Sequence, residues 1–219
     1  LQIMGGYTLS TIYKYRYYLL ATFYVTTIIL VWPGIAMHDS LVQYQQALNA
    51  QFSDHHPPLM AYFWRSLDFW QVGSGWMFLL QISMLYGGVA VLLKTVNYMP
   101  LKHKKLVSII LLFYPIYPQI LIYELVITKD AQFASSFLLC GAILACYTMS
   151  NKRIPTVIAM ALLLVLIYGT AVKFQAKFIV IIFAFWFGYL LQQSHAVWRK
   201  IVVGAVIYTS ILGAVFYIN

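Results

Sequence analysis

Residues 17–36 read YYLLATFYVTTIILVWPGIA. No charge interrupts this run, and about 20 mostly apolar residues are what an α-helix needs to cross the hydrocarbon core of a bilayer. The run carries no small-residue cleavage site, so it reads as an anchor and not as a cleaved signal peptide. Six further segments have the same character, at about 75–93, 106–123, 131–149, 156–172, 178–191 and 201–218. The chain is 63% apolar and 9% charged over its 219 residues, a balance that excludes a soluble domain. The expected fold is all-α: a polytopic membrane protein of about seven transmembrane helices, forming one integral membrane domain over residues 1–219. The chain starts at Leu1 instead of Met and stops at Asn219 directly after an apolar run, so a fragment of a longer protein is expected.

The net charge of +9 would suggest nucleic acid in a soluble protein. Here the cations sit in small clusters between apolar runs, the pattern that positive-inside topology produces, and no nucleic-acid partner is expected. With the N-terminus cytoplasmic, the inside receives Lys14, Arg16, Lys94, Lys102, Lys104, Lys105, Lys152, Arg153, Arg199 and Lys200, and the outside only Arg65, Lys129, Lys173 and Lys177. The acids play no part in that assignment. Yet all five of them, Asp39, Asp54, Asp68, Glu124 and Asp130, fall outside. Lys102, Lys104 and Lys105 with His103 are read as an inside cluster facing anionic headgroups. Cys140 and Cys146 lie in one apolar segment and point about 240° apart on a helix, which rules out a disulfide between them and gives no metal-type spacing.

The first outer loop, about 37–74, is the only long one. Ser40-Leu41-Val42-Gln43 fits a capping box, and Leu41, Tyr44, Leu48 and Phe52 recur at helical spacing. An amphipathic helix on the membrane surface is expected there. Pro57-Pro58 suits the start of a second helix, continued by the aromatic-rich 59–70. No internal repeat, low-complexity tract or soluble domain is evident.

Four constellations could carry chemistry. Asp39 follows the exit of the first helix at the membrane–water boundary, where partial desolvation tunes a carboxylate toward general-base work; equally, Asp is a favoured helix cap. Asp54-His55-His56 could bind a divalent cation or hold a phosphate. Adjacent side chains on an extended strand point apart, however, and an ordinary turn before a proline-started helix accounts for the same residues. Glu124 and Asp130 bracket Lys129 in the second outer loop, either completing a site or forming a solvated loop with a weak local ion pair. Lys173 and Lys177, at i and i+4, share a helical face. They would hold a phosphate at the membrane surface or snorkel to the headgroups.

Together these segments resemble the GT-C superfamily of membrane glycosyltransferases, most closely the protein-mannosyltransferase and aminoarabinose-transferase type. The resemblance rests on Pro33-Gly34, Asp39-Ser40 and Gln43, on Asp54-His55-His56-Pro57-Pro58-Leu59, and on Lys129-Asp130, and by topology it covers nearly the whole chain. It implies a sugar donor on a polyprenyl phosphate or diphosphate, presented from the outer leaflet. With no N-x-S/T sequon or endoplasmic-reticulum retention signal in the sequence, a bacterial inner membrane is expected. By the resemblance, Asp39 would activate the acceptor, and Asp54, His55 and His56 would position donor phosphate or a divalent metal cation. Glu124, Lys129 and Asp130 would complete the site, and Lys173 and Lys177 would hold the lipid phosphate. Family members usually continue with further helices, which this chain lacks. A transporter or lipid flippase, or a non-catalytic subunit of a longer enzyme, are the readings from other classes.

Overall fold

The computed structural model describes residues 2–49, 57–69, 72–192 and 196–218. They form an all-α bundle. Helix α1 spans Gln2–Val31 and leads through a two-residue strand, β1 (Ile35–Ala36), into α2 (His38–Asn49) and α3 (Leu59–Asp68). Helix α4 (Gly75–Thr95) is followed by α5 (Leu101–Phe113), α6 (Pro118–Leu125) and a second short strand, β2 (Val126–Ile127). Helices α7 (Lys129–Ser150), α8 (Thr156–Ala171), α9 (Ala176–Leu191) and α10 (Val197–Ile218) complete the chain.

Helices fall on all seven apolar segments. By length and composition, α4, α7 and α10 are each able to cross a membrane, and a fourth span results if the bent pair α5–α6 counts as one. Helices α8 and α9 are apolar but shorter, at 16 residues each. These long apolar helices mark a membrane protein.

Prolines set the helix boundaries. Pro58, Pro100 and Pro155 precede α3, α5 and α8, and Pro118 opens α6, as suits a residue with no N–H to leave unpaired in a first turn. Pro115 and Pro118 also break the third apolar segment. A 3₁₀ turn fills Tyr114–Ile116, Tyr117 is extended as residues before proline tend to be, and the two halves meet at 42°.

Helix α4 is the centre of the bundle. Met77, Phe78, Ile82, Leu85, Val89 and Leu93 are buried along it, and they pack with Leu20 of α1, Trp64 of α3, Leu112 of α5 and Ile127 of β2. Polar pairs stitch α1 to α4: Tyr24 with Ser83 and Thr27 with Tyr86, both at 2.9 Å. A second core joins α7 through Cys140 and Leu144 to α8, α9 and Ile211 of α10. Helices α9 and α10 approach closely where Gly188 meets Gly204: a Cβ on Gly188 would lie 2.6 Å from the Gly204 nitrogen. Small residues permit such backbone proximity between membrane helices.

The loop after α1 departs from the expected capping box. Helix α2 starts at His38, so Ser40 lies in its first turn and not at its cap. The Ser40 hydroxyl instead donates to the Ile127 carbonyl. The helix buries Ser40, Gln43 and Ala47, whereas Leu41 and Leu48 are exposed. The helix thus packs on the protein through these small and polar residues together with Tyr44, and it leaves Leu41 and Leu48 pointing away. Helix α3 begins after Pro58 as the sequence predicts.

Candidate functional site

The site grows from the pairing of β1 with β2. The strands are parallel, with Ile35 opposite Val126 and Ala36 opposite Ile127. Each is followed by one residue and then a helix. The segments Ile35-Ala36-Met37-His38-Asp39-Ser40 and Val126-Ile127-Thr128-Lys129-Asp130-Ala131 are therefore equivalent in register. Asp39 and Asp130 stand three residues beyond the paired Ala36 and Ile127, each in the first turn of its helix. Parallel neighbours run about 4.8 Å apart, so the two acid-bearing helix starts leave the ladder side by side. This short repeat escapes a search of the sequence, because only the aspartate is identical among its six positions.

Gly34 makes the approach possible. Its φ is +93°, and a Cβ there would lie 2.9 Å from both Phe78 and Ile127, so only glycine fits. Buried polar side chains then fix β2. Gln81, wholly buried in α4, donates through Nε2 to the Glu124 and Val126 carbonyls at 2.7 and 3.0 Å. Gln132 donates to the Met77 carbonyl at 3.0 Å and accepts from the Tyr168 hydroxyl at 2.9 Å. Thr128 caps α7, its hydroxyl accepting from the Ala131 N–H at 3.1 Å. Sequence reasoning missed Gln81, Gln132, Ser135 and Tyr168. The available signal was the amide side chains inside otherwise apolar runs, since such groups are retained only where they find partners.

A cavity of about 250 Å³ opens beside this ladder, lined by Pro57, Lys129, Asp130, Lys173, Phe174 and Gln175. Three elements converge on it: the entry to α3, the first turn of α7 and the α8–α9 connection. The Lys173 ammonium lies 2.8 Å from an Asp130 carboxylate oxygen and 5.4 Å from the Phe133 ring. Both ion-pair partners are partly exposed, at 26% and 44%, so the pair orients more than it stabilises. Two lysines and one aspartate give the lining a positive balance. Nearby, Tyr44 of α2 stacks on Trp64 with ring centroids 4.9 Å apart. Burial pushes the Tyr44 phenol above its ordinary pKa, and the Asp68 carboxylate adds to that, so the ring stays protonated where it packs.

The expected site residues divide as follows. Asp39 is exposed on the first turn of α2. Asp130, Lys129 and Lys173 line the cavity together. Glu124 does not join them: it is 4% exposed and accepts from the Ser135 hydroxyl at 2.7 Å inside the α6–α7 contact. The reading of Glu124 as part of a solvated outer loop is corrected accordingly; α6 runs to Leu125 and turns this side chain inward. Lys173 and Lys177 do not share a helical face, because the chain between α8 and α9 breaks at Lys173. Lys177 is exposed in the first turn of α9. Asp54, His55 and His56 lie outside the described residues. Among the described residues no three His, Cys, Asp or Glu side chains gather as a metal ion would require.

No protein-family model matches the chain, and no curated protein or solved structure matches it either.

Proposed function

We propose that this protein is a membrane glycosyltransferase, which moves a sugar from a polyprenyl-phosphate-linked donor to an acceptor on the non-cytoplasmic side. The observation that carries this reading is the register-matched pair Asp39 and Asp130, flanked by a cavity with Lys129 and Lys173. A transferase of this kind needs a carboxylate to take a proton and cations to take a phosphate, close together at a membrane surface. The GT-C-like order of the sequence elements supports the same reading. In this account seven helices cross a bacterial inner membrane, with the N-terminus cytoplasmic and the acidic end outside.

Asp39 is the general base. It accepts the proton as the acceptor hydroxyl or amine forms a bond to the anomeric carbon. The bond from that carbon to the phosphate oxygen breaks, and the lipid phosphate departs with the electron pair. Lys129 and Lys173 stabilise the charge that develops there, and Asp130 orients Lys173. Lys177 and the segment Asp54-His55-His56 are the further candidates for holding the donor. The test is turnover by the purified chain in proteoliposomes, offered a panel of polyprenyl-phosphate sugars. Release of polyprenyl phosphate supports transfer.

The bend between α5 and α6 favours a second reading, since transporters build sites at interrupted helices. Movement of intact donor across the bilayer without release of polyprenyl phosphate would select that reading over transfer.

A further inference from the structure

At the opposite end of the bundle the chain builds a different surface. The last turn of α4, the end of α7 and the start of α8 enclose a groove of about 390 Å³. Its walls are apolar, from Val91, Ile143, Cys146, Val157, Ile158 and Ala161. Its mouth is basic, with Lys94 and Lys152. A second basin of about 430 Å³ adjoins it, sharing Tyr147 and Lys152 and adding Arg153 and Lys200. Between them the two cavities set an apolar slot beside four cations, Lys94, Lys152, Arg153 and Lys200.

The local structure fixes this arrangement. Helix α7 ends at Asn151 in the left-handed conformation, φ +50°, and this turn sends Lys152 and Arg153 back over the bundle end. The Lys200 ammonium sits 4.1 Å from the Tyr189 ring centroid, which holds it at the basin wall. Helix α8 starts at the groove, so its unpaired first-turn N–H groups add positive potential there. The described acids Asp39, Asp68, Glu124 and Asp130 belong to α2, α3, α6 and α7 at the other end. Among the described residues neither lining holds an acid to neutralise these cations.

We propose that this groove binds an anionic glycerophospholipid, with one acyl chain along Val91, Ile143, Ile158 and Ala161 and the phosphate between Lys94 and Lys152. Charge complementarity and the join of apolar slot to basic mouth select this occupant. A zwitterionic lipid would bring its own cation against the lysines, and a free anion would leave the slot empty. Basic pockets between membrane helices recognise lipid headgroups in this manner. The inference is independent of sugar transfer, because the site lies at the other end of the helices from Asp39 and Asp130.

The test is native mass spectrometry of the full chain in neutral detergent, with dioleoyl-phosphatidylglycerol or dioleoyl-phosphatidylcholine at equal concentration. The chain should retain the anionic lipid and shed the zwitterionic one. In the Lys94→Gln/Lys152→Gln variant, apparent affinity for the anionic lipid should fall about thirtyfold, at the scale of two membrane-facing cations. Ala161→Trp, which fills the slot and leaves every cation in place, should lower retention as well. Lys14→Gln, an exposed cation of α1 outside the groove, should change nothing. Equal retention of both lipids, or anionic-lipid retention indifferent to the groove variants, would overturn the proposal. So would thermal stabilisation by inorganic phosphate or glycerol phosphate equal to that by the lipid, since it would make this a free-anion site.

Discussion

Gln81 does what no apolar residue of its size could do. Its amide donates to the Glu124 and Val126 carbonyls at the start of β2, in a place wholly shielded from solvent. Gln81→Leu keeps the volume and strips both acceptors of their donor, which costs about 2–4 kcal/mol at the usual penalty for buried unpaired groups. The thermal midpoint of the detergent-solubilised protein should drop clearly; an unchanged midpoint would show that the amide is dispensable. Glu124 illustrates the opposite lesson. As a carboxylate in an outer segment it reads as a site residue, yet its side chain is tied to Ser135 within the bundle. Glu124→Gln preserves a hydrogen-bonding partner for Ser135 and should leave donor turnover near wild type. Loss of turnover with an intact fold would return Glu124 to the site. Burial is the property that separates Glu124 from Asp39, and one-dimensional spacing does not report it.

At the scale of elements, the helix positions were legible and their terminations mostly so. Apolar length locates α4, α7 and α10, and Pro58, Pro100, Pro118 and Pro155 mark helix starts through a missing N–H and a fixed φ. The sequence locates α2 as an amphipathic helix, but it does not say which residues meet the bundle: Ser40, Gln43 and Ala47 are buried, Leu41 and Leu48 are exposed, and Tyr44 packs inward on Trp64. In a membrane protein the apolar face of a short helix can belong to the lipid, so periodicity alone does not say which face meets the bundle. The β1–β2 ladder was also illegible: two residues per strand carry no alternation to read. The close α9–α10 crossing is testable directly. Gly188→Leu places a side chain against the Gly204 backbone and should separate α10 from the bundle, seen as faster proteolysis of the C-terminal segment in detergent. Protection equal to wild type would mean that the crossing tolerates a wider spacing.

For the whole molecule, charge is the organising quantity. The described acids gather at one end of the helices and most cations at the other, and each end presents a cavity with a cationic lining. The sequence carries this polarity through the positive-inside pattern, and sidedness can be measured without any assay of function. In a background with Cys140 and Cys146 replaced, a cysteine at exposed Lys177 should react in intact cells with a membrane-impermeant thiol reagent. One at exposed Lys105 should react only after permeabilisation. The reverse pattern would invert the orientation and place the acidic site in the cytoplasm. The composition of the cavity, by contrast, depended on the fold: Lys129, Asp130 and Lys173 come together only because the α8–α9 connection returns beside the start of α7.

The central claim is that Asp39 and the Lys129–Asp130–Lys173 group form one catalytic unit for lipid-linked sugar transfer. The most direct measurement is steady-state release of polyprenyl phosphate in proteoliposomes by the wild type, Asp39→Asn and Lys173→Gln. The account predicts that Asp39→Asn lowers kcat by about 10²–10⁴, the range of a lost general base, with donor KM little changed. It predicts that Lys173→Gln lowers kcat/KM through both binding and leaving-group stabilisation. Full activity in folded Asp39→Asn would contradict it.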